Sequence, residues 1–146
     1  MSKRNGLKVL LDTSFLLPSL GVDVGEDVAK GLNMLVDSDA EIYYSQFSIL
    51  EALWVVIGLI KDGTFNSDMF SLGLRSITEG NRYKEAHTDS HTFNEGLKLY
   101  RLGHEDIIDN ILYATSVSHD LKFLTLDGEL QRFIEEHKLQ NNLMNQ

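Results

Sequence analysis

Lys8-Val-Leu-Leu-Asp-Thr-Ser-Phe-Leu-Leu17 is the stretch on which the fold class of this chain turns. Val9 to Leu11 is an apolar run of strand length that breaks on one carboxylate, Asp12, followed at once by Thr13 and Ser14. Such a run reads as a buried strand delivering an acid to the edge of a sheet. In open parallel sheets, ligands bind at the carboxyl ends of the strands. Taken alone, Asp12 reads at least as well as a cap for the helix that follows. Its meaning depends on which other carboxylates reach the same edge.

Downstream, helical and strand patterns alternate. Val28, Leu32, Leu35 and Val36 recur at helical spacing over 26–36, with Glu26 and Asp27 in the first turn, where the helix dipole favours acids. Glu41-Ile-Tyr-Tyr-Ser45 is aromatic and β-branched and predicts a second strand. A helix beginning near 45–48 follows; its body, Ile49 to Ile60, is apolar almost all round, which predicts burial between other elements, and Lys61-Asp-Gly63 supplies the stop. Residues 66–101 read as mainly helical, with a polar and ambiguous interval at 80–90. Gly103-His-Glu-Asp opens the next helix, which carries Ile107, Ile108, Ile111 and Leu112 on one face and ends near His119. Lys122-Phe-Leu-Thr-Leu126 is a further strand that also ends on an acid, Asp127; a last helix is expected over 131–138 and a frayed tail over 140–146. This alternation indicates an α/β fold with a mainly parallel sheet.

Composition narrows the field. The 146 residues, 42% hydrophobic and 24% charged with both signs interspersed, suit one globular domain and leave no linker for a second. The absence of cysteine excludes disulfides and thiolate metal sites and fits a reducing, cytoplasmic setting. Lys3, Arg4 and Lys8 precede an apolar run far too short for a signal peptide, and no run reaches the ~20 residues of a membrane span. The formal net charge of -9 repels polyanions at long range, so any nucleic-acid contact must be local or metal-assisted.

Four acids occupy positions where packing does not call for them: Asp12 and Asp127 closing strands, Glu51 entering an apolar helix, and Asp109 beside an apolar stripe. Each has an ordinary explanation. Ser48-Ile-Leu-Glu51 matches a capping box, Asp109 suits the N-terminal half of a helix, and Asp127-Gly128 suits a turn. Jointly they say more, because a parallel sheet brings strand ends and the starts of the following helices to one edge. Two carboxylates ~5 Å apart repel by roughly 3 kcal/mol at an effective dielectric of ~20, so such a cluster calls for protons or cations. Oxygen-only ligands suit Mg²⁺ or Mn²⁺ rather than zinc.

In order and spacing, Leu-Leu-Asp12-Thr-Ser, Ser45-Gln-Phe-Ser-Ile-Leu-Glu51, Asp109-Asn-Ile-Leu-Tyr-Ala-Thr and Leu-Thr-Leu-Asp127 resemble the PIN domain family of metal-dependent nucleases over about residues 8 to 130. Asn110 departs from that pattern, since a small apolar residue is common there, and Asp106 is an alternative third acid. The resemblance implies a three-layer α/β/α fold with a central mainly parallel sheet. It also implies Mg²⁺- or Mn²⁺-dependent hydrolysis of RNA phosphodiesters, as in VapC-type toxin endoribonucleases, which pair with an antitoxin. Asp12, Glu51, Asp109 and Asp127 would then hold the metal, with Thr13, Ser14 and Thr125 orienting carboxylates or touching phosphate. A homodimer could line a shared RNA groove with Arg75, Arg82, Lys84, Lys98 and Arg101.

Other chemistries fit less well. An aspartyl phosphatase needs a second Asp where Ser14 stands, a phosphate receiver needs a lysine after a late strand, and the five histidines read as surface groups. The rival from another class is a PIN-like module that binds RNA or assembles with protein and does not cut.

Overall fold

The computed structural model describes residues 6–144; Lys3, Arg4, Asn145 and Gln146 lie outside the described residues. Its centre is a sheet of four strands, β1 (Lys8–Leu11), β2 (Glu41–Tyr44), β3 (Tyr83–Glu85) and β4 (Lys122–Leu124), in the order β3-β2-β1-β4. Every pairing is parallel, with Leu10 beside Tyr43 on one side and Phe123 on the other. Around it run α1 (Thr13–Leu16), a 3₁₀ turn (Leu17–Leu20), α2 (Glu26–Asp37), α3 (Gln46–Asp62), α4 (Ser67–Glu79), α5 (Ser90–Leu102), α6 (Ile107–Ser118) and α7 (Gly128–Glu136).

Alternation along β1 sorts the helices into two layers. Val9 and Leu11 face a core that holds Phe15, Leu20, Leu35 and Ile77, from α1, the 3₁₀ turn, α2 and α4. Leu10 faces the other, with Leu99, Leu112, Leu130 and Ile134 from α5, α6 and α7. Strands covered on both faces read as continuous apolar runs, which is why Val9-Leu10-Leu11 shows no polar position. The α/β/α layering and the parallel sheet expected from the sequence are the observed ones.

Several local features differ from the sequence expectation. The interval at 80–90 contains β3, an edge strand too short for a periodicity to show. The segment at 140–144 is not a frayed tail: Leu143 bridges Phe123 in parallel, the amide of Phe123 donates to the Asn142 carbonyl, and Met144 donates back to Phe123. Asn142 is buried and donates to Ser116 Oγ and to the Leu121 carbonyl, both at 2.8 Å, so this segment extends the sheet beyond β4. The expectation that α3 is buried all round also fails. Ser48, Ala52 and Val56 are buried and Ile49 packs on the core, while Leu50, Leu53, Trp54, Ile57 and Ile60 are each more than a third exposed, because nothing among the described residues covers the outer face. Among the described residues no helix is long and apolar enough to cross a membrane.

Close approach sets two glycines. At Gly96 on α5, an added Cβ would meet the Ile111 side chain of α6 at 3.0 Å, which is how these helices come together. Gly73 on α4 lies against the 3₁₀ turn more tightly still, at backbone distance.

Candidate metal centre

With all strands parallel, their carboxyl ends share one edge. Asp12 follows β1 directly and caps α1, its Oδ1 accepting from the Thr13 amide at 2.6 Å. Asp127 closes the turn after β4 and caps α7, its Oδ1 accepting from the amides of Glu129 and Leu130 at 2.9 and 3.3 Å. Both therefore do the capping that the simpler reading assigned to them, and both also line a cleft of ≈ 470 Å³ together with Glu51 and Asp109. Thr13 and Ser14 line it too, with Leu17, Val55 and Leu126 as apolar walls.

Glu51 reaches the cleft because it is released from capping. The N-cap of α3 is Ser45, in extended backbone, whose Oγ accepts from the Phe47 amide at 3.1 Å. Ser48, the residue a capping box needs, lies inside the helix and is buried without a hydrogen-bond partner for its Oγ. Asp109 stands in the first turn of α6, and Asp106 is the N-cap, accepting from the Asp109 amide at 3.1 Å. Asp106 is exposed and does not line the cleft.

Thr125 links two of the acids. Its hydroxyl donates to Asp12 Oδ2 at 2.8 Å and accepts from the Asp127 amide at 3.1 Å, fixing the carboxylate of β1 against the turn after β4. Thr13 Oγ1, buried at the cleft, has no partner among the described residues.

The electrostatics are those of crowded acids. Burial pushes the Asp12 carboxyl up to about 6; the Thr125 hydroxyl and the Thr13 amide oppose this, and the charges of Glu51 and Asp127 add to it. Burial also drives Asp109 upward, helped by a hydrogen bond to Asp127 and by the charges of Asp12 and Asp106. For Asp127, burial pushes up but is outweighed by hydrogen bonds from Asp109 and from the Leu130 and Glu129 amides, leaving it below the ordinary value. Facing each other, the two carboxyls shift in opposite directions, Asp109 upward and Asp127 downward. An all-oxygen donor set of crowded carboxylates suits a hard divalent cation, which would offset their repulsion. Yet among the described residues no three Asp, Glu or His side chains are grouped closely enough to hold one ion as they stand.

None of the five basic residues lines this cleft. Arg82 precedes β3, at the opposite edge of the sheet, and stacks over the Tyr83 ring at 5.2 Å. Lys84 pairs with Glu41 at 3.1 Å. Arg75 is exposed on α4, and Lys98 and Arg101 line a groove along α5.

The sequence reading missed a buried pair beside the acids. His104, expected at the surface, is only 6% exposed. Asn110 Nδ2 donates to the His104 carbonyl at 2.7 Å, so its Oδ1 faces His104 Nδ1 at 2.5 Å and accepts from it. The departure at Asn110 is thereby explained: it locks the loop before α6, the element that carries Asp109. Asn110→Ala leaves a buried N–H and a buried carbonyl unmatched. It should destabilise the protein by about 1–3 kcal/mol, read as a lower urea midpoint at unchanged slope.

Neither a family model nor a curated protein matches the sequence. Solved structures do match. A toxin–antitoxin complex from Klebsiella pneumoniae aligns over 94% of this chain and 96% of its own at TM-score 0.58 and 16% identity. VapBC2 from Rickettsia felis, solved on a promoter DNA fragment, aligns over 94% and 96% at TM-score 0.61 and 12% identity. The sarcin–ricin-loop-cleaving toxin VapC20 of Mycobacterium tuberculosis aligns over 85% and 93% at TM-score 0.62 and 14% identity. By these alignments, this chain has the fold of the VapC-type PIN domains.

Proposed function

We propose that the chain is a Mg²⁺- or Mn²⁺-dependent ribonuclease that hydrolyses RNA phosphodiester bonds, acting as the toxin of a toxin–antitoxin pair. The observation that carries this reading is that Asp12, Glu51, Asp109 and Asp127, delivered by four separate elements, line one cleft at the carboxyl edge of the sheet. The solved relatives, toxins with antitoxins among them, support it. When bound, a divalent cation supplies an activated water and offsets charge on the departing oxygen. Asp12, Glu51 and Asp109 would hold it, with Asp127 as the fourth carboxylate. Thr125 and the Thr13 amide hold the Asp12 carboxylate in one orientation, so it need not reorganise on loading. Thr13 Oγ1 and Ser14 stand at the cleft to meet phosphate oxygens.

An antitoxin and a second copy of the chain are the protein partners of this reading, in a cytoplasmic setting. The exposed apolar stripe of α3, Leu50, Leu53, Trp54 and Ile57, supports a protein partner of some kind, since patches of this sort mark interaction surfaces. Arg75, Arg82, Lys84, Lys98 and Arg101 all stand outside the cleft, so any RNA contact they make lies beyond the acids, with Lys98 and Arg101 sharing one groove along α5.

The test is cleavage of RNA with Mg²⁺ or Mn²⁺ against the same reaction in EDTA. Activity with the cation and none with EDTA is expected; equal activity in both would sink the reading. Thermal melting gives an independent check: relieving carboxylate repulsion with a cation should raise the midpoint of the wild type, and raise it less in Asp12→Asn.

A second reading, a PIN-like module that binds RNA or assembles with protein without cutting, is favoured by one observation: among the described residues no three acids are grouped as one ion requires. It predicts RNA retention without cleavage under any divalent cation.

A further inference from the structure

At the carboxyl edge, the cleft does not end at Asp127. Leu126 and Asp127 form its far wall and at the same time one side of a second cavity of ≈ 310 Å³. The opposite side is the segment that extends the sheet beyond β4, bringing Asn141, Leu143 and Met144, and the floor includes Gln131 on the first turns of α7. This cavity exists only because 140–144 is paired to β4, and that pairing is fastened by the two hydrogen bonds of buried Asn142 and by the Tyr113 hydroxyl, which donates to the Gln140 carbonyl at 2.6 Å.

Its lining shares Leu126 and Asp127 with the acid cleft and adds two carboxamides. Leu126, Leu143 and Met144 give apolar surface, while Thr125, the Asp127 carboxylate and two exposed carboxamides, those of Gln131 and Asn141, give the larger, polar part of the lining. Asn141 uses its Oδ1 to accept from the Leu143 amide at 3.2 Å, which leaves its Nδ2 hydrogens to donate. Gln131 makes one long contact through Nε2 to Glu135 at 3.5 Å, which leaves its Oε1 to accept. A donor and an acceptor beside the apolar surface of Leu126, Leu143 and Met144 match the hydrogen-bonding edge and one flat face of an unstacked nucleobase. A cavity of this size holds one such base.

We propose that this second cavity is a base-binding subsite, taking the nucleobase of an unpaired ribonucleotide next to the phosphodiester held in the acid cleft, with Asn141 and Gln131 reading its edge. The proposal rests on the ribonuclease reading for the phosphodiester alone. Sequence preference is then set on this side of the active site by two amides beside the Asp127 carboxylate, in a chain whose net charge of -9 gives RNA no general electrostatic attraction.

The first measurement follows the side-chain amide resonances of Asn141 and Gln131 by ¹H–¹⁵N NMR. The wild-type protein with Mg²⁺ is titrated with each nucleoside 5′-monophosphate and with ribose 5-phosphate as a probe lacking a base. At least one monophosphate should shift both amides where ribose 5-phosphate does not. Shifts equal for both probes, or none with any, would overturn the subsite. The second compares cleavage of RNAs that differ only in the nucleotide beside the cut. The wild type should prefer one base by about tenfold or more, and Gln131→Ala and Asn141→Ala should each reduce that ratio to about threefold or less. Gln131 lies on exposed α7 and holds no part of the paired segment, so its variant separates base reading from a loss of structure at 140–144. An unchanged ratio in Gln131→Ala would overturn the subsite and leave the ribonuclease reading intact. Amide shifts in a protein that cuts no RNA would do the reverse.

Discussion

Replacing Asp12 with asparagine should abolish RNA cleavage and, in the absence of divalent cation, make the protein melt at a higher temperature at pH 7. The two effects share one cause. Asp12 is 8% exposed, and burial raises its carboxyl from the ordinary value to about 6. A group whose folded value is raised stabilises fully below its unfolded value, near 4, and loses that contribution as pH climbs through about 6. At pH 7 the ionised carboxylate therefore opposes folding by an amount on the order of 3 kcal/mol. Asparagine keeps the shape: its Oδ1 still accepts from the Thr13 amide, and its Nδ2 donates to Thr125 Oγ1 in place of the bond that Thr125 now donates. The variant should then gain several degrees at pH 7, at about 2–4 °C per kcal/mol for a chain of this size, and gain nothing at pH 4. Cleavage should fall by roughly a thousandfold, since the loss of a ligating charge removes several kcal/mol of transition-state stabilisation. Differential scanning calorimetry at both pH values and a cleavage assay read the two effects; equal midpoints at pH 7 would refute the electrostatic account, and undiminished cleavage would refute the catalytic one.

Gly73→Ala should unfold or nearly unfold the protein. A Cβ at this position would lie 1.9 Å from the Ser19 carbonyl oxygen and 3.1 Å from the Leu20 Cα, all backbone of the 3₁₀ turn. Backbone cannot rotate aside as a side chain can. The turn is held from within by Leu17 and Leu20, which are buried beside Ile77 of α4. Separating α4 from it would open the core on that side, and the expected loss is about 3–5 kcal/mol. Gly58, in the middle of α3, is the control. A Cβ there meets nothing within 4 Å, so Gly58→Ala should stabilise by about 0.5–1 kcal/mol through the lower helical cost of alanine. Urea denaturation of the two variants measures both; a small effect at Gly73 would show that the helix and the turn can part without loss.

How the acids came to be legible is instructive. Asp12 and Asp127 stood out because apolar runs ended on them, and a parallel sheet has only one edge to which strand ends can go. The capping reading and the site reading of these residues were not alternatives: each carboxylate caps a helix with one oxygen and lines the cleft as well. For Glu51 the two readings did exclude each other. Choosing between Ser45 and Ser48 as the cap decided it, and that choice depends on backbone angles which no spacing reveals.

The sequence by itself determined the layered α/β class, the position of the first strand and the four acids, because strand-length apolar runs, helical spacing and interrupting charges are local patterns. Only the tertiary structure decided the rest. The short edge strand β3 carries too few residues for a period. The segment at 140–144 is polar in composition and is ordered by a partner strand some twenty residues earlier. Burial of His104 depends on an asparagine on the next helix. The outer face of α3 is exposed because no element among the described residues returns to cover it. In each case the deciding contact joins residues distant in sequence or is missing altogether, and local propensity carries no information about either.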